Sequence, residues 1–229
     1  MTTSEFCSST SYFDSASANY NTRPIRNRIA SKAANAILER LPLHNFRLLD
    51  FGCGTGLLSQ RLAEHTSYIL GVDTSPRMIE EFNRICWENG VTPEEMRAVC
   101  LDISSTEIPP ELTQEPLFDC VVTLQALHHI RDVTSVLKSL SRHISSGGWF
   151  AGVDLRRKEE YGSYFLCSSS TNSHSNVYHR GGFTPEELED ALIGAGFVDI
   201  IVETAFVLPK QIGQHLIEFE FVIAIGRKP

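Results

Sequence analysis

Between Leu48 and Leu57 the chain reads Leu48-Leu49-Asp50-Phe51-Gly52-Cys53-Gly54-Thr55-Gly56-Leu57. An apolar run delivers an acid into a turn that carries glycine at every second position. Glycine permits backbone conformations that a Cβ forbids and lets a ligand approach the main chain. In open α/β sheets such a turn lies at the carboxyl end of a strand, where ligands bind near the reversal of strand order. The dinucleotide fingerprint G-x-G-x-x-G is not met, because Leu57 stands where its third glycine belongs, and no G-K-[ST] follows to make a phosphate loop. An acid at this turn repels pyrophosphate and suits a cation. Two more acids end apolar runs: Asp73 after Tyr68–Val72, and Asp102 after Met96–Leu101. A carboxylate in the first of these places can accept both hydroxyls of a ribose. Cys53, inside the turn, reads as a small spacer and not as a nucleophile.

Histidines supply the candidate proton chemistry. His128 and His129 follow the run Phe118–Leu124 at the mouth of the same crevice. Either could take a proton from a substrate hydroxyl, thiol or amine. The other reading of the pair is a helix start with one ring packed. His179 falls late in a long Ser-, Tyr- and His-rich stretch, beside Tyr178, and is a third candidate catalytic residue. Long stretches of this kind in compact domains are often lids. His174 and His179 have no carboxylate or cysteine at ligating spacing, so no metal is expected. Gln125 lines the pocket by position.

The series D-x-G-x-G-x-G from Asp50 to Gly56 resembles the first motif of class I methyltransferases. Phe118-Asp119-Cys120-Val121-Val122-Thr123-Leu124-Gln125-Ala126-Leu127-His128-His129-Ile130 is similar to that family's fourth strand and the loop after it. Leu137-Lys138-Ser139-Leu140 through Ser145-Ser146-Gly147-Gly148-Trp149-Phe150 is similar to its helix, glycine turn and fifth strand, with Ser146 where a proline is usual. The match covers roughly residues 45–155. The resemblance implies S-adenosylmethionine as cofactor, which has an ammonium and a sulfonium but no phosphate. It implies a cofactor-binding set of Tyr20, Asp50, Gly52, Cys53, Gly54, Gly56, Asp73, Thr74, Met78, Asp102, Ile103, Gln125 and Ala126, with Asp102 near the adenine amino group. Phe13-Asp14 to Tyr20 resembles the aromatic amino-terminal segment that closes over the cofactor in many members. Tyr12, Phe13 and Tyr20 could box the sulfonium by cation–π contact, or simply pack.

Elements must hold these residues in place, and the pattern supplies them. Apolar spacing predicts a helix over 27–41, ended by Pro42. Strands are expected at 46–51, 68–72, 96–101, 118–124 and 149–153. Helices are expected at 57–65, 76–87, after Asp132, and from Thr184 to about Ala195. Ser75, Asp132 and Thr184 are the expected caps. Runs at 197–206 and 215–225 are expected to pair antiparallel. The sum is an α/β fold: a doubly wound, mostly parallel seven-stranded sheet with helices on both faces and an antiparallel C-terminal edge hairpin. The reading is one domain over 1–229, with 1–44 as an amino-terminal cap segment and 155–182 as a substrate-lid insertion.

Composition narrows the partners. The net charge of −8 disfavours nucleic acid and anionic lipid. No apolar run reaches the ~20 residues of a membrane helix, and the amino terminus lacks a signal pattern, so no membrane partner is expected. The six cysteines form no C-x-x-C pair, which fits reduced thiols in the cytoplasm. The expected activity is in-line transfer of a methyl group from S-adenosylmethionine to an O, N, S or C nucleophile of a small molecule. The alternatives are a cofactor-binding protein without methyl transfer, or a nucleotide-dependent oxidoreductase. No feature assigns an oligomeric state.

Overall fold

A computed structural model describes residues 7–103, 112, 115–161, 177–212 and 214–229. Seven strands form one sheet: β1 (Phe46–Phe51), β2 (Thr66–Asp73), β3 (Met96–Cys100), β4 (Phe118–Leu124), β5 (Ile144–Leu155), β6 (Val198–Ile212) and β7 (His215–Arg227). Their order is β3-β2-β1-β4-β5-β7-β6. The first five run parallel, with Leu49 opposite both Leu70 and Val121. β7 is antiparallel to β5, with Val153 opposite Ile223, and β6 pairs antiparallel to β7. The fold expected from the sequence is the fold observed.

The sheet is apolar on both faces because both are covered. Leu48, Ile69, Val122 and Ile223 face α2 (Pro24–Leu38) and α4 (Pro76–Glu88) through Ile37, Ile79 and Phe82. Their chain neighbours Leu49, Leu70, Val121 and Val222 face α5 (Val133–Ser141) and α6 (Pro185–Gly194) through Val136, Leu140, Leu188 and Leu192. Three helices start on the caps read from sequence. Ser75 accepts from Met78 N, Asp132 accepts from Ser135 N, and Thr184 and Glu187 form a reciprocal capping box.

Several details differ from the sequence reading: the helix expected over 27–41 runs Pro24–Leu38, with Pro24 at its first turn, and the strand expected over 197–206 extends to Ile212. Cys7–Ala16 is a helix, α1, in a segment whose polar composition gave no periodic signal. After the glycine turn the helix is short: α3 (Ser59–Leu62) runs into a 3-10 turn, Ala63–His65. β5 begins at Ile144, because Gly147 and Gly148 lie in a bulge inside the strand. Phe118 pairs with Ile144, but Cys120 pairs with Trp149. A Cβ on Gly148 would stand 2.7 Å from Asp119 O, so this bulge admits only glycine.

The β6–β7 hairpin continues past the end of β5. Leu155 pairs with Phe221, and from Val207–Glu220 to Ile212–His215 the two strands pair with each other beyond that point. Tyr161 fastens this arm. It is fully buried, its hydroxyl donates to Glu218 O (2.7 Å) and accepts from Glu220 N (2.9 Å), and its ring lies against Phe219. The arm therefore stands at the carboxyl edge of the parallel strands.

Candidate active site

β1 and β4 are neighbours at the reversal of strand order, and their carboxyl ends carry the residues of interest. The glycine turn leaves β1 with positive φ at Gly52 (68°), Gly54 (52°) and Gly56 (84°). The three glycines do different work. A Cβ on Gly52 would lie 2.4 Å from Ala126 Cβ, so this glycine lets the turn press against the β4 loop. A Cβ on Gly56 would lie 2.7 Å from the Phe82 ring, so this one seats the turn on α4. A Cβ on Gly54 would meet nothing within 4 Å, so its bare face opens outward.

The turn is held from below by acids. Asp73 Oδ2 accepts from Gly54 N (2.9 Å) while Oδ1 accepts from Ser75 N (2.9 Å). Asp50 is buried and accepts from the Ser59 hydroxyl at 2.5 Å. Burial raises Asp50 to about 7, against the pull of Ser59 and with the help of Asp73. Burial also raises Asp73, and its backbone donors hold it back. Cys53 is buried against Gly71, and burial lifts its thiol well above the ordinary range, which is the state of a spacer.

The amino-terminal segment closes one side. Asp14 accepts from the Ser75 hydroxyl (2.6 Å) and from Arg77 N (3.2 Å) at the start of α4. Asn21 accepts from the Thr55 hydroxyl in the glycine turn (2.5 Å). Arg26 lies 3.5 Å over the Tyr20 ring. Tyr20, Arg26, Asp50, Gly52, Cys53, Gly54 and Gln125 line a shallow cleft beside the turn, open to solvent. Gln125 is held in the left-handed region (φ 53°), and its N–H donates to Val153 O.

Of the residues read from sequence, six of the cofactor-binding set line this cleft: Tyr20, Asp50, Gly52, Cys53, Gly54 and Gln125. Asp73 and Ala126 touch its floor through Gly54 and Gly52. Thr74, Asp102 and Ile103 gather at the tips of β2 and β3, where Leu101 N donates to Asp73 O. Met78 is buried in the first turn of α4. Gly56 faces Phe82 rather than the cleft.

Two of the three histidines meet through their rings, and the third joins their turn through its backbone. His128 and His129 occupy a 3-10 turn after β4, with ring centroids 4.1 Å apart. The backbone N–H groups of Tyr178 and His179 both donate to His128 O. His179 stacks on Phe183, and its Nε2 is buried without a hydrogen-bond partner. Phe13 meets His129 edge-on at 5.3 Å. His128 Nδ1 lies 2.8 Å from Asp154 Oδ1. His174 lies outside the described residues. Sequence reading did not single out Asp14, Asn21 and Asp154, whose partners are distant in the chain, nor Arg26, which meets Tyr20 six residues away. Arg26 left no signal, because the helix expected from sequence begins at Asn27 and the observed one begins at Pro24.

A family profile described as a methyltransferase domain matches residues 49–150. Residues 49–150 therefore resemble a methyltransferase domain in sequence. Among curated proteins, this domain is similar to an uncharacterized methyltransferase of Schizosaccharomyces pombe, 31% identical over 62% of this chain and 49% of that protein. It is similar to a ubiquinone biosynthesis O-methyltransferase of Pseudomonas fluorescens, 31% identical over 50% of this chain and 46% of that protein. The chain thus matches about half the length of these relatives. In fold, it is similar to an S-adenosylmethionine-dependent methyltransferase from Thermotoga maritima, with TM-score 0.65, 21% identity, and coverage of 95% and 98% of the two chains. Among the described residues, no helix is long and apolar enough to cross a membrane, and no group of three metal-ligating side chains gathers.

Proposed function

We propose that the protein transfers the methyl group of S-adenosylmethionine to a small molecule, with a hydroxyl as the favoured nucleophile among O, N, S and C. The observation that carries this reading is the acid-braced glycine turn facing a cleft, with a histidine cluster across the β1–β4 boundary. The residues fit the cofactor. Arg26 offers a cation for the methionyl carboxylate, and Asp50 and the turn offer negative charge for the ammonium. Asp73 suits the ribose hydroxyls, and Asp102 with Ile103 suits the adenine. The open face of Gly54 leaves the main chain reachable, and Tyr20, Cys53 and Gln125 complete the walls. When bound, the cofactor supplies an electrophilic methyl group on a sulfonium.

The chain's task is then placement and proton handling. Residues 1–44 act as a cap, whose contacts to Ser75 and Thr55 exclude water from the cofactor side. Residues 155–182 act as the acceptor lid, tied to the histidine turn by Tyr178 and His179. His128, His129 and His179 are the candidates for handling the acceptor's proton. The O-methyltransferase names of several relatives support the hydroxyl. The proposal includes a reducing compartment, the cytoplasm, which suits the buried thiols of Cys53, Cys86 and Cys120.

Calorimetry with S-adenosylmethionine and its demethylated product tests the cofactor, and methyl transfer to a panel of phenols, alcohols, amines and thiols tests the chemistry. Micromolar binding that falls at least tenfold in Asp73→Ala is expected. Failure of both cofactor forms to bind overturns the reading; binding without transfer across the panel favours a non-methylating role.

A further inference from the structure

We propose that Asp154 positions His128 as the proton acceptor of the transfer reaction, fixing the imidazole with its proton on Nδ1 and its lone pair on Nε2. The inference rests on the methyltransferase reading above, and assigns a role to a residue that neither the motif nor the family profile reaches.

The geometry is specific. Asp154 sits in β5, 1% exposed, one strand away from the end of β4 that leads into the histidine turn. Its Oδ1 lies 2.8 Å and its Oδ2 3.1 Å from His128 Nδ1. The same carboxylate accepts from His128 N (3.3 Å) and Leu155 N (2.7 Å). An ionised carboxylate has only acceptors, so the Nδ1 facing it must carry the proton. Neutral His128 then presents a lone pair at Nε2, the form a base needs. The backbone bond from His128 N and the two bonds received by His128 O fix the turn on both sides. The side chain keeps 19% of its surface accessible, so the ring is held without being sealed.

The neighbours leave Asp154 as the dominant charge. His129 stands on the same turn, and His179 and Tyr178 approach from the lid, with Arg131 over the Tyr178 ring. Burial pulls His128 down, and the Asp154 carboxylate outweighs it, so the imidazole titrates above its ordinary value. The step balances simply. The acceptor oxygen forms a bond to the methyl carbon, the carbon–sulfur bond breaks with its electron pair left on sulfur, and the hydroxyl proton passes to Nε2 of His128. The imidazolium so formed is stabilised by Asp154 and later returns its proton to water.

Two acceptors separate a proton-handling role from a purely structural one: 3,4-dihydroxybenzoate, whose hydroxyls are neutral at pH 7, and 4-nitrocatechol, which is largely ionised there. Asp154→Asn is expected to lower kcat on the first by about 10²–10³-fold, and on the second by less than tenfold. The acid limb of its kcat profile should move to lower pH, because the raised imidazole loses its carboxylate. His128→Gln should behave alike, and the double variant should be no slower than His128→Gln, as residues acting as a unit require. Binding of S-adenosylhomocysteine certifies that each variant is folded. Equal penalties on both acceptors, or no transfer to either hydroxyl by a wild type that binds cofactor, overturns the proposal. A wild type that binds no cofactor overturns the methyltransferase reading itself. Nitrogen-15 spectra of the histidine rings give an arm independent of turnover. Neutral His128 protonated at Nδ1 is expected, and protonation at Nε2 overturns the inference.

Discussion

A methyl group added at Gly54 would touch nothing, whereas one added at Gly52 would drive into Ala126. The two substitutions should therefore separate binding from folding. Gly54→Ala carries only the left-handed backbone penalty, about 1–2 kcal/mol, yet it blocks approach to the turn and should weaken cofactor binding at least tenfold. Gly52→Ala adds overpacking to the same penalty and should cost roughly 2–5 kcal/mol in urea unfolding. Asp50 gives a pH signature. Its folded-state value near 7 lies above the ordinary carboxylate value. The folded protein thus keeps a proton that the unfolded chain gives up, and stability falls as pH rises from about 4 to about 7, by ~4 kcal/mol in all. Asp50→Asn should flatten that slope in melts at pH 5 and pH 7.5. A bound ammonium would draw Asp50 back to its ionised form, so cofactor affinity should rise with pH below 7.

Elements were readable wherever a local rule governed them. Ser75, Asp132 and Thr184 announced three helices, and each cap bond is present. Thr184→Ala should cost about 1 kcal/mol, measured as a fall in the denaturant midpoint, with no change in cofactor affinity. The turn of β1 and the acid ending β2 were legible for the same reason: they depend on short-range spacing. What was illegible depends on register between strands. His128 and Asp154 stand 26 residues apart, and only the β4–β5 pairing brings them together. The bulge at Gly147 and Gly148 looked like a turn because both need the same glycines. α1 carries no periodic stripe, and its contacts include specific ones such as Phe13 on His129, and Asp14 on Ser75 and Arg77.

Among the described residues, the two apolar clusters lie mainly in the sheet and helices α2 to α6, with connecting residues such as Leu43, Leu127 and Tyr161, and none of their members comes from α1. Deletion of residues 1–22 should leave the cooperative unfolding transition in place, with a small fall in Tm. It should weaken cofactor binding at least tenfold, read by calorimetry, because Asp14, Tyr20 and Asn21 go with it. A deletion that binds normally would remove the cap from the proposal.

β6 sits at the rim of the sheet, with β7 as its sole neighbour, and β7 separates it from β5. During translation β6 leaves the ribosome first and has nothing to pair with until β7 has also emerged, roughly 1–3 s later at about 5–20 residues per second. For that interval Ile201 and Val207, already exposed in the finished fold, belong to a bare strand edge. Strands β1 to β4 need neither of them and can assemble earlier, so a nascent chain would own the cleft at their carboxyl ends before the β6–β7 hairpin snaps in beside β5.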